Sequence, residues 1–455
     1  MQIPLIKDLH LQRRLRPQLI TGILVLAFVL VALTYRLQSS SNPGAPAAAA
    51  PQFRNPKPFQ PRQRFDGVWD YRRDARDLLL SPAECDAAFP GLFEEVERAV
   101  KDRMGKNITV EEVDAIPKRN GYVRAMVFDQ ELYIISTQGK IYSRGMAVLH
   151  ALHRALITSP TPLPNIEFTF SVDDWLPPQS QWAFARKTED RQTWLMPDFG
   201  YWSWPETKVG AYGEVQRKAI EMEQGSDEGQ NGGDHKSSDA LAPNPSVPSS
   251  WSWGKKVPRL LWRGATMSLP LREALVRVAA SKPWADVKAL DWHDKSSMST
   301  DLKSMSEHCQ YKYLMHTEGN SYSGRLKYLQ NCRSVIVAHD MDWLQHQSPL
   351  MASSGPGQNY VKVRRDFEDL EASIQALLKD DKKAEKIAEN NVRTFRERYL
   401  TPAAEVCYWR RLIQGWANVS FEPRFYDVAP DGTKKWRGVP FESYALEGRL
   451  EWDPY

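Results

Sequence analysis

The second half of the sequence alternates between patterns typical of strands and patterns typical of helices. Short apolar runs predict strands at residues 259–262, 287–290, 334–338 and 360–363. Amphipathic runs between and after them predict helices at residues 269–281, 323–330 and 367–379. Strands joined by helical crossovers pair in parallel, so this half predicts a parallel sheet with helices on both faces. Ligands of such sheets bind beyond the carboxyl ends of the strands.

The first half of the chain gives fewer signals, and a low-complexity insertion at residues 223–250 separates it from the second. Residues 132–135 and 166–172 predict strands, and residues 143–157 predict a helix. Two charged helices, at residues 382–399 and 403–416, precede an aromatic tail. We therefore predict lobes at residues 66–222 and 251–400, with residues 401–455 packing back on the first lobe.

An uncharged apolar run at residues 19–35 follows Arg13, Arg14 and Arg16. Its length and its basic flank predict a retained membrane helix with residues 1–18 in the cytosol, and a cleaved signal peptide is the alternative. Residues 36–65 are rich in Pro, Ala and Ser, which predicts a stem between the membrane and the folded part. The formal net charge of +4, without a long basic stripe, argues against binding of nucleic acid.

This topology would place the folded part in an oxidising lumen. The four cysteines, Cys85, Cys309, Cys332 and Cys407, lack the spacing of a metal site, so two disulfides are favoured over a zinc site. Asn107 and Asn418 each begin a sequon for N-glycosylation.

The predicted strand at residues 166–172 is followed by two carboxylates, Asp173 and Asp174, and then by Trp175. A carboxylate at a strand end, partly desolvated by Trp175, could act as general base toward a hydroxyl. The alternative is a turn in which an Asp caps backbone amides. A shared metal ion is disfavoured, because adjacent side chains on an extended strand point to opposite faces.

Residues 196–206 are dense in aromatic side chains and include Asp198, Ser203 and Glu206. Trp202 and Trp204 could stack on the C–H face of a sugar or on a base while the polar side chains bind hydroxyl groups. A packed aromatic cluster between the lobes is the alternative.

Two segments could bind a phosphate. One runs from Cys309 to Cys332 and carries Gly324 and Arg325 at a predicted helix start. The other places Arg263 and Gly264 at a strand end, before a helix with Ser268 as its N-cap and Arg272 in its first turn. Guanidiniums converging at one crevice suit a diphosphate without a metal ion. An amphipathic helix with solvent-facing arginines in surface ion pairs is the alternative.

Four blocks, in this order, carry a family resemblance: FSVDDW, PDFGYWSWPE, LLWRGA and CQYKYLMHTEGNSYSGRLKYLQNCRSVIV. With them the chain resembles glycosyltransferase family 90, which includes the capsule-associated xylosyltransferases of fungi and the protein O-glucosyltransferases of animals. The resemblance covers residues 120–416. It implies an α/β fold of GT-B type, with two Rossmann-like lobes and a cleft between them. It also implies an inverting, metal-independent transferase that uses UDP-glucose or UDP-xylose and no cofactor.

The resemblance also assigns roles to residues. Asp174 would be the catalytic base. The donor would be bound by Arg263, Gly264, Arg272, Asn320, Ser321, Tyr322, Ser323, Gly324 and Arg325. The aromatic platform, which is predicted from the residues themselves, would contact the acceptor sugar through Trp175, Trp202, Ser203, Trp204 and Glu206. The disulfides would join Cys309 to Cys332 and Cys85 to Cys407.

The sequence departs from the family at two places. Ala265 follows Arg263 and Gly264 where related enzymes can carry a hydroxyl, and the sequence given ends in WDPY rather than in a retention signal of the K-D-E-L type. We therefore expect a single-pass Golgi membrane protein whose acceptor is a glycan or glycoprotein. A non-catalytic, lectin-like membrane protein is the main alternative, and a metal-dependent transferase using Asp173 and Asp174 is a third.

Overall fold

The computed structural model describes residues 65–139, 142–174, 176–207, 209–224, 251–291, 294 and 300–450. The predicted cytosolic tail, the membrane helix at residues 19–35, nearly all of the stem and most of the insertion lie outside the described residues. Within the described ranges, no helix is both long and apolar enough to cross a membrane. All described residues belong to one compact unit, residues 63–455.

Twelve α-helices are found in the described ranges, together with one π-helical turn at Phe395–Tyr399. The helices are α1 Tyr71–Asp74, α2 Pro82–Ala88, α3 Glu94–Arg103, α4 Val110–Asp114, α5 Tyr142–Ile157, α6 Tyr212–Gln224, α7 Pro270–Ala279, α8 Leu326–Leu329, α9 Leu370–Lys379, α10 Asp381–Thr394, α11 Pro402–Ala417 and α12 Phe441–Glu447. Helix α11 begins where the sequence chemistry requires it, because the Thr401 side chain caps it and Pro402 occupies its first turn.

The first sheet has six strands in the order β17-β2-β1-β3-β4-β6. These are β1 Tyr122–Phe128, β2 Glu131–Gln138, β3 Ile166–Ser171, β4 Trp182–Ala183, β6 Trp194–Leu195 and β17 Val439–Pro440. Strand β1 is antiparallel to both β2 and β3, whereas β3, β4 and β6 run parallel. The sheet is therefore mixed and differs from the parallel sheet of a Rossmann-like lobe.

A two-residue turn explains why the first sheet departs from the expected topology. Asp129 and Gln130 join β1 to β2 with φ angles of 50° and 69°. Two successive positive φ angles produce the tight hairpin turn that pairs strands antiparallel. The tail also contributes to this sheet, because β17 pairs with the edge strand β2.

The second sheet has five parallel strands in the order β10-β9-β11-β12-β14. These are β9 Val257–Gly264, β10 Ala285–Ala289, β11 Tyr311–His316, β12 Val335–His339 and β14 Tyr360–Val363. The prediction of a parallel sheet is confirmed, but the central strand β11 was not predicted. All six of its residues are buried, including two basic residues, Lys312 and His316.

The remaining strands form short two-stranded pairs. They are β5 Arg186–Lys187 with β13 Trp343–Leu344, β7 Ser203–Trp204 with β8 Val209–Ala211, and β15 Tyr426–Val428 with β16 Lys434–Trp436. The pair of β5 and β13 joins a segment next to the first sheet to a segment next to the second.

Each sheet has its own apolar core. Helices α5 and α11 pack in the first core, where Leu149 and Trp416 are fully buried. On β9, Leu260 contributes to one side of the second sheet and Leu261 to the other, as strand alternation requires. Helix α6 packs against that second side through Ala219.

Two local predictions about helix starts are wrong. Helix α8 contains four residues rather than eight, with Arg325 at its N-cap. Ser268 does not cap α7, because it has a φ of 53° and Leu269 occupies the cap position without a side-chain hydrogen bond. The phosphate hypothesis therefore depends on the guanidinium groups rather than on the dipole of a long helix.

Both predicted disulfides are present, between Cys85 and Cys407 and between Cys309 and Cys332. The first joins α2 to α11. The second joins the start of β11 to the segment after α8, so it closes the loop that carries Arg325.

Candidate active site

Asp174 lies just after β3, with nearly half of its side chain exposed. Its Oδ1 accepts a hydrogen bond of 2.8 Å from Nη1 of Arg144, in the first turn of α5. Asp173 is also exposed, and its Oδ1 accepts a bond from the backbone N–H of Asp174. Asp174 is therefore a solvent-accessible carboxylate in an ion pair. Trp175 lies outside the described residues.

The aromatic segment begins with a buried ion pair between Asp198 and Lys327. Oδ1 of Asp198 accepts from Nζ of Lys327 and from the backbone N–H of Gly200. A Cβ atom at Gly200 would come within 2.3 Å of Nζ of Lys327, so a side chain here would displace the ammonium group from its present position. Nζ of Lys327 also donates to the carbonyl of Gly324. The pair thus attaches the aromatic segment to the loop that carries Arg325.

The two tryptophans of this segment have different surroundings. Trp202 packs under the guanidinium of Arg154, which lies 4.7 Å from its ring centroid. Trp204 lines a cavity, and its ring lies 3.5 Å from the position that a Cβ of Gly324 would occupy. Both rings are partly buried, but Trp202 packs against helix α5, whereas Trp204 forms part of the cavity wall. Ser203 is half-buried between them, and the side chain of Glu206 lies outside the described residues.

Arg263 is buried at the end of β9, and protein acceptors bind most of its N–H groups. Nη2 donates to Oδ1 of Asp286 at 2.6 Å, and Nε and Nη1 donate to backbone carbonyls, among them that of Asp301. The guanidinium lines the cavity, but its charge is balanced by Asp286.

Arg272 and Arg325 have a different environment. Within the described residues, no carboxylate forms an ion pair with either guanidinium. Burial and, to a smaller extent, the nearby charge of Arg272 lower the pKa of Arg325 to about 10. Burial also lowers the pKa of Arg272, whose guanidinium donates to the carbonyls of Glu318 and Ala265. Burying two like charges side by side is unfavourable unless an anion accompanies them.

Glycines at two positions allow these guanidiniums to approach the backbone. A Cβ at Gly264 would lie 3.2 Å from Nη2 of Arg325, and a Cβ at Gly319 would lie 3.2 Å from Nη2 of Arg272. Because Arg272 also donates to the carbonyl of Ala265, both guanidiniums meet the chain where β9 ends. This is the carboxyl edge of the parallel sheet, where ligands of such sheets bind.

The loop before α8 lies at the same edge. Its residues differ in exposure: Asn320 is exposed, Ser321 is fully buried, and Tyr322 and Ser323 are half-buried. Gly319 donates a backbone hydrogen bond to the carbonyl of Ser321, which gives the loop a tight turn. The structure therefore brings Gly264, Arg272, Ser321, Gly324 and Arg325 together.

A cavity of about 550 Å³ opens beside these groups. It is lined by Trp204, Arg263, His308 and Arg325, and by residues of α6 and of the segment 302–307. Burial lowers the pKa of His308 to about 3, and the charges of Arg325 and Arg263 add to this effect. His308 is therefore neutral near pH 7. The cavity combines apolar and aromatic walls with cationic groups at one end, which suits a nucleoside diphosphate.

Sequence reasoning missed Arg144, Lys327 and His308. Lys327 was present in the block that carried the resemblance, yet its i, i+3 relation to Gly324 gave no hint of a partner more than 120 residues earlier. Arg144 and Asp174 are 30 residues apart, and only the fold brings them together. Among the described residues, no group of three or more His, Cys, Asp or Glu side chains could bind a metal ion.

The two sequons lie side by side. The backbone N–H of Ile108, in the first sequon, donates to the carbonyl of Val419, in the second, at 2.7 Å. Asn107 and Asn418 are both exposed.

The structure thus combines a mixed α/β fold with a cationic cavity, an aromatic wall and a carboxylate after a strand end. The chain belongs to glycosyltransferase family 90, because it matches the sequence model of glycosyl transferase family 90 over residues 84–230 and 245–429.

Curated relatives carry names of the same kind. The chain is 25% identical over 273 residues to an O-glucosyltransferase rumi homolog of Aedes aegypti, covering 55% of this chain and 61% of that protein. It is 26% identical over 195 residues to protein O-glucosyltransferase 1 of Rattus norvegicus, covering 40% and 48%. It is 27% identical over 173 residues to the protein of the same name in Homo sapiens, covering 36% and 43%. The chain spans about half the length of the curated relatives it matches.

Proposed function

We propose that this protein is an inverting, metal-independent glycosyltransferase that moves glucose or xylose from a UDP-sugar to a hydroxyl of a glycoprotein or glycan. The observation that carries the proposal is the pair Arg272 and Arg325. Both guanidiniums lie at the carboxyl edge of a parallel sheet, and neither has a carboxylate partner in the described part of the chain. Arg325 also lines the cavity. A diphosphate would supply the missing negative charge.

The chemistry needs a base on one side and charge stabilisation on the other. Asp174 would remove the proton from the acceptor hydroxyl as the oxygen attacks the anomeric carbon. The bond from that carbon to UDP breaks in the same step, which inverts the configuration. Arg325 and Arg272 would stabilise the negative charge that develops on the departing diphosphate, in place of a metal ion.

A continuous series of contacts connects the two sides. The guanidinium of Arg144, which binds Asp174, lies 4.8 Å from the ring centroid of Phe199. The Phe199 ring meets Trp204 edge to face at 5.6 Å, and Trp204 packs on Gly324, next to Arg325. Trp204 is thus the wall that base and donor site share, and a sugar could stack on it.

The compartment follows from separate observations. Two disulfides favour an oxidising compartment, and the apolar run at residues 19–35 with its basic flank favours a membrane anchor. We therefore propose a single-pass Golgi membrane protein with residues 66–222 as the acceptor-side lobe and residues 251–400 as the nucleotide-sugar-binding lobe.

The test uses the purified protein and measures UDP release from UDP-glucose and UDP-xylose with candidate acceptors. We expect Asp174→Asn to lower kcat by about 10²–10⁴-fold, because a general base contributes on that order. The matched control is Asp173→Asn, an exposed neighbour that should leave kcat within a few-fold of wild type.

Three outcomes would contradict the proposal. Undiminished turnover by Asp174→Asn removes Asp174 as the base. Loss of activity in EDTA supports the metal-dependent alternative. Calorimetry that detects binding of a glycan but not of UDP supports the lectin-like alternative.

A further inference from the structure

Among the described residues, Arg144 is the polar partner of the Asp174 side chain. Its Nη1 donates to Oδ1 at 2.8 Å, and the Arg144 side chain is about one-quarter exposed. The backbone before Asp174 is also ordered, because Asp173 N–H donates to Oγ of Ser171 and Asp174 N–H donates to Oδ1 of Asp173. The carboxylate therefore has one oxygen engaged, and it lies on a defined turn.

The guanidinium of Arg144 is itself fixed in position. It stacks on the ring of Phe199, with 4.8 Å between Cζ and the ring centroid. Phe199 is buried, and Phe184 and Trp204 contact its ring at their edges. Asp198 caps the turn that begins at Phe199 and is held by the ion pair with Lys327. The orientation of Arg144 thus depends on the same segment that forms the wall of the cavity.

From this arrangement, and resting on the proposed function, we propose that Arg144 is a positioning residue for the base Asp174. Its hydrogen bond holds Oδ1, so Oδ2 is the oxygen that faces the acceptor hydroxyl. An exposed carboxylate without such a partner would rotate among several orientations. Because Phe199 and Trp204 touch, the orientation of the base is coupled to the wall against which the donor binds.

The protein contains a matched pair for comparison. Arg411 forms an ion pair with Asp86, and its Cζ lies 4.7 Å from the ring centroid of Phe93. The exposures are nearly equal: 27% and 54% for Arg411 and Asp86, against 26% and 48% for Arg144 and Asp174. Arg411→Gln thus removes an equivalent exposed, stacked ion pair at a position outside the candidate site. Such pairs contribute little to stability, so both Arg→Gln variants should fold.

The experiment measures kcat, acceptor KM and UDP affinity in wild type, Arg144→Gln, Arg144→Lys and Arg411→Gln. We expect Arg144→Gln to lower kcat about tenfold, as misorientation of a general base predicts, with the dissociation constant of UDP unchanged. Arg144→Lys should recover part of the loss because it retains the charge but not the planar geometry. Arg411→Gln should leave all three quantities unchanged.

A double-mutant cycle with Asp174→Asn then separates positioning from other roles. If Arg144 acts through Asp174, Arg144→Gln has no further effect on the residual rate of Asp174→Asn. A tenfold loss that persists in that background overturns the proposal, and so does a kcat of Arg144→Gln equal to that of Arg411→Gln. Both results differ from a failure of the proposed function, in which wild type itself releases no UDP.

Discussion

Arg263 and Arg325 both line the cavity at the second sheet, but the protein treats their charges in opposite ways. Arg263 is buried against Asp286, and its N–H groups also bind the backbone carbonyls of Trp262, Asp286 and Asp301. Among the described residues, the buried Nε of Arg325 has no hydrogen-bond partner, and burial lowers the pKa of Arg325 to about 10. Asp286 neutralises the first guanidinium, whereas no carboxylate among the described residues pairs with the second.

The charged side chains after β3 and in the aromatic segment resemble Arg263 rather than Arg325, because each has a partner of opposite charge. Asp174 is paired with Arg144, and Asp198 is paired with Lys327 of α8. An ion pair fixes the position of both charged side chains. A buried charge without a partner lowers the free energy of unfolding until a ligand of opposite charge binds. The comparison therefore separates paired residues, which stabilise the fold, from residues that would bind the donor under the proposed function.

The largest effect should come from removing a guanidinium that completes the fold. Arg263→Ala should lower the free energy of unfolding by about 3–5 kcal/mol, because Asp286 would be left partly buried without its counter-charge. Denaturant unfolding at neutral pH measures the change.

A second variant controls for the cause of that loss. Arg263→Met combined with Asp286→Asn removes both charges and should regain part of the stability, while Tyr311 can still donate to residue 286. If Arg263→Ala instead abolished UDP binding at unchanged stability, Arg263 would belong with Arg325, and the comparison would fail.

Arg325→Ala should give a smaller change in free energy than Arg263→Ala, and the change should appear in UDP binding rather than in stability. We expect UDP affinity to fall roughly 100-fold, since charge-assisted hydrogen bonds to phosphate contribute about 2–3 kcal/mol. The free energy of unfolding should stay level or rise, because the variant removes a charge that burial penalises. Calorimetry and denaturant unfolding give the two values, with Arg277→Ala, an exposed arginine of α7, as the control. A loss of stability comparable to that of Arg263→Ala would show that Arg325 is structural.

The sequence predicted four of the five strands of the second sheet but not its centre. Strand β11 contains Lys312 and His316 within an aromatic run, and a polar residue in a fully buried strand is unexpected from pattern alone. The fold satisfies Lys312 with Asp381, a residue of α10 far along the chain. The first sheet was harder, because its topology depends on the turn conformation of Asp129 and Gln130, a pair without glycine.

The residues of the candidate site also divide into those that the sequence could predict and those that only the fold reveals. Arg325 and Gly324 could be predicted as phosphate-binding candidates from the sequence, because a short segment suffices to show a glycine followed by an arginine. The opposite behaviour of Arg263 and Arg325 could not be predicted, since it depends on Asp286, which reaches Arg263 only when β9 and β10 pair. Sequence shows which residues carry charge, and tertiary structure decides which charges are neutralised.

His308 allows the smallest test of the comparison. Burial lowers its pKa to about 3, and the charges of Arg325, Arg263 and Lys303 reinforce that shift. The folded state therefore resists protonation of His308 while the unfolded state accepts a proton near pH 6.5, so stability falls as the pH drops below about 6.5. Between pH 7.5 and 5.5 this residue should cost about 1.4 kcal/mol of unfolding free energy. Denaturant unfolding of His308→Gln should show a pH dependence weaker by that amount. An equal pH dependence of stability in wild type and His308→Gln would mean that the folded protein tolerates a protonated His308. The positive charge of Arg325 would then be better balanced than the comparison with Arg263 indicates.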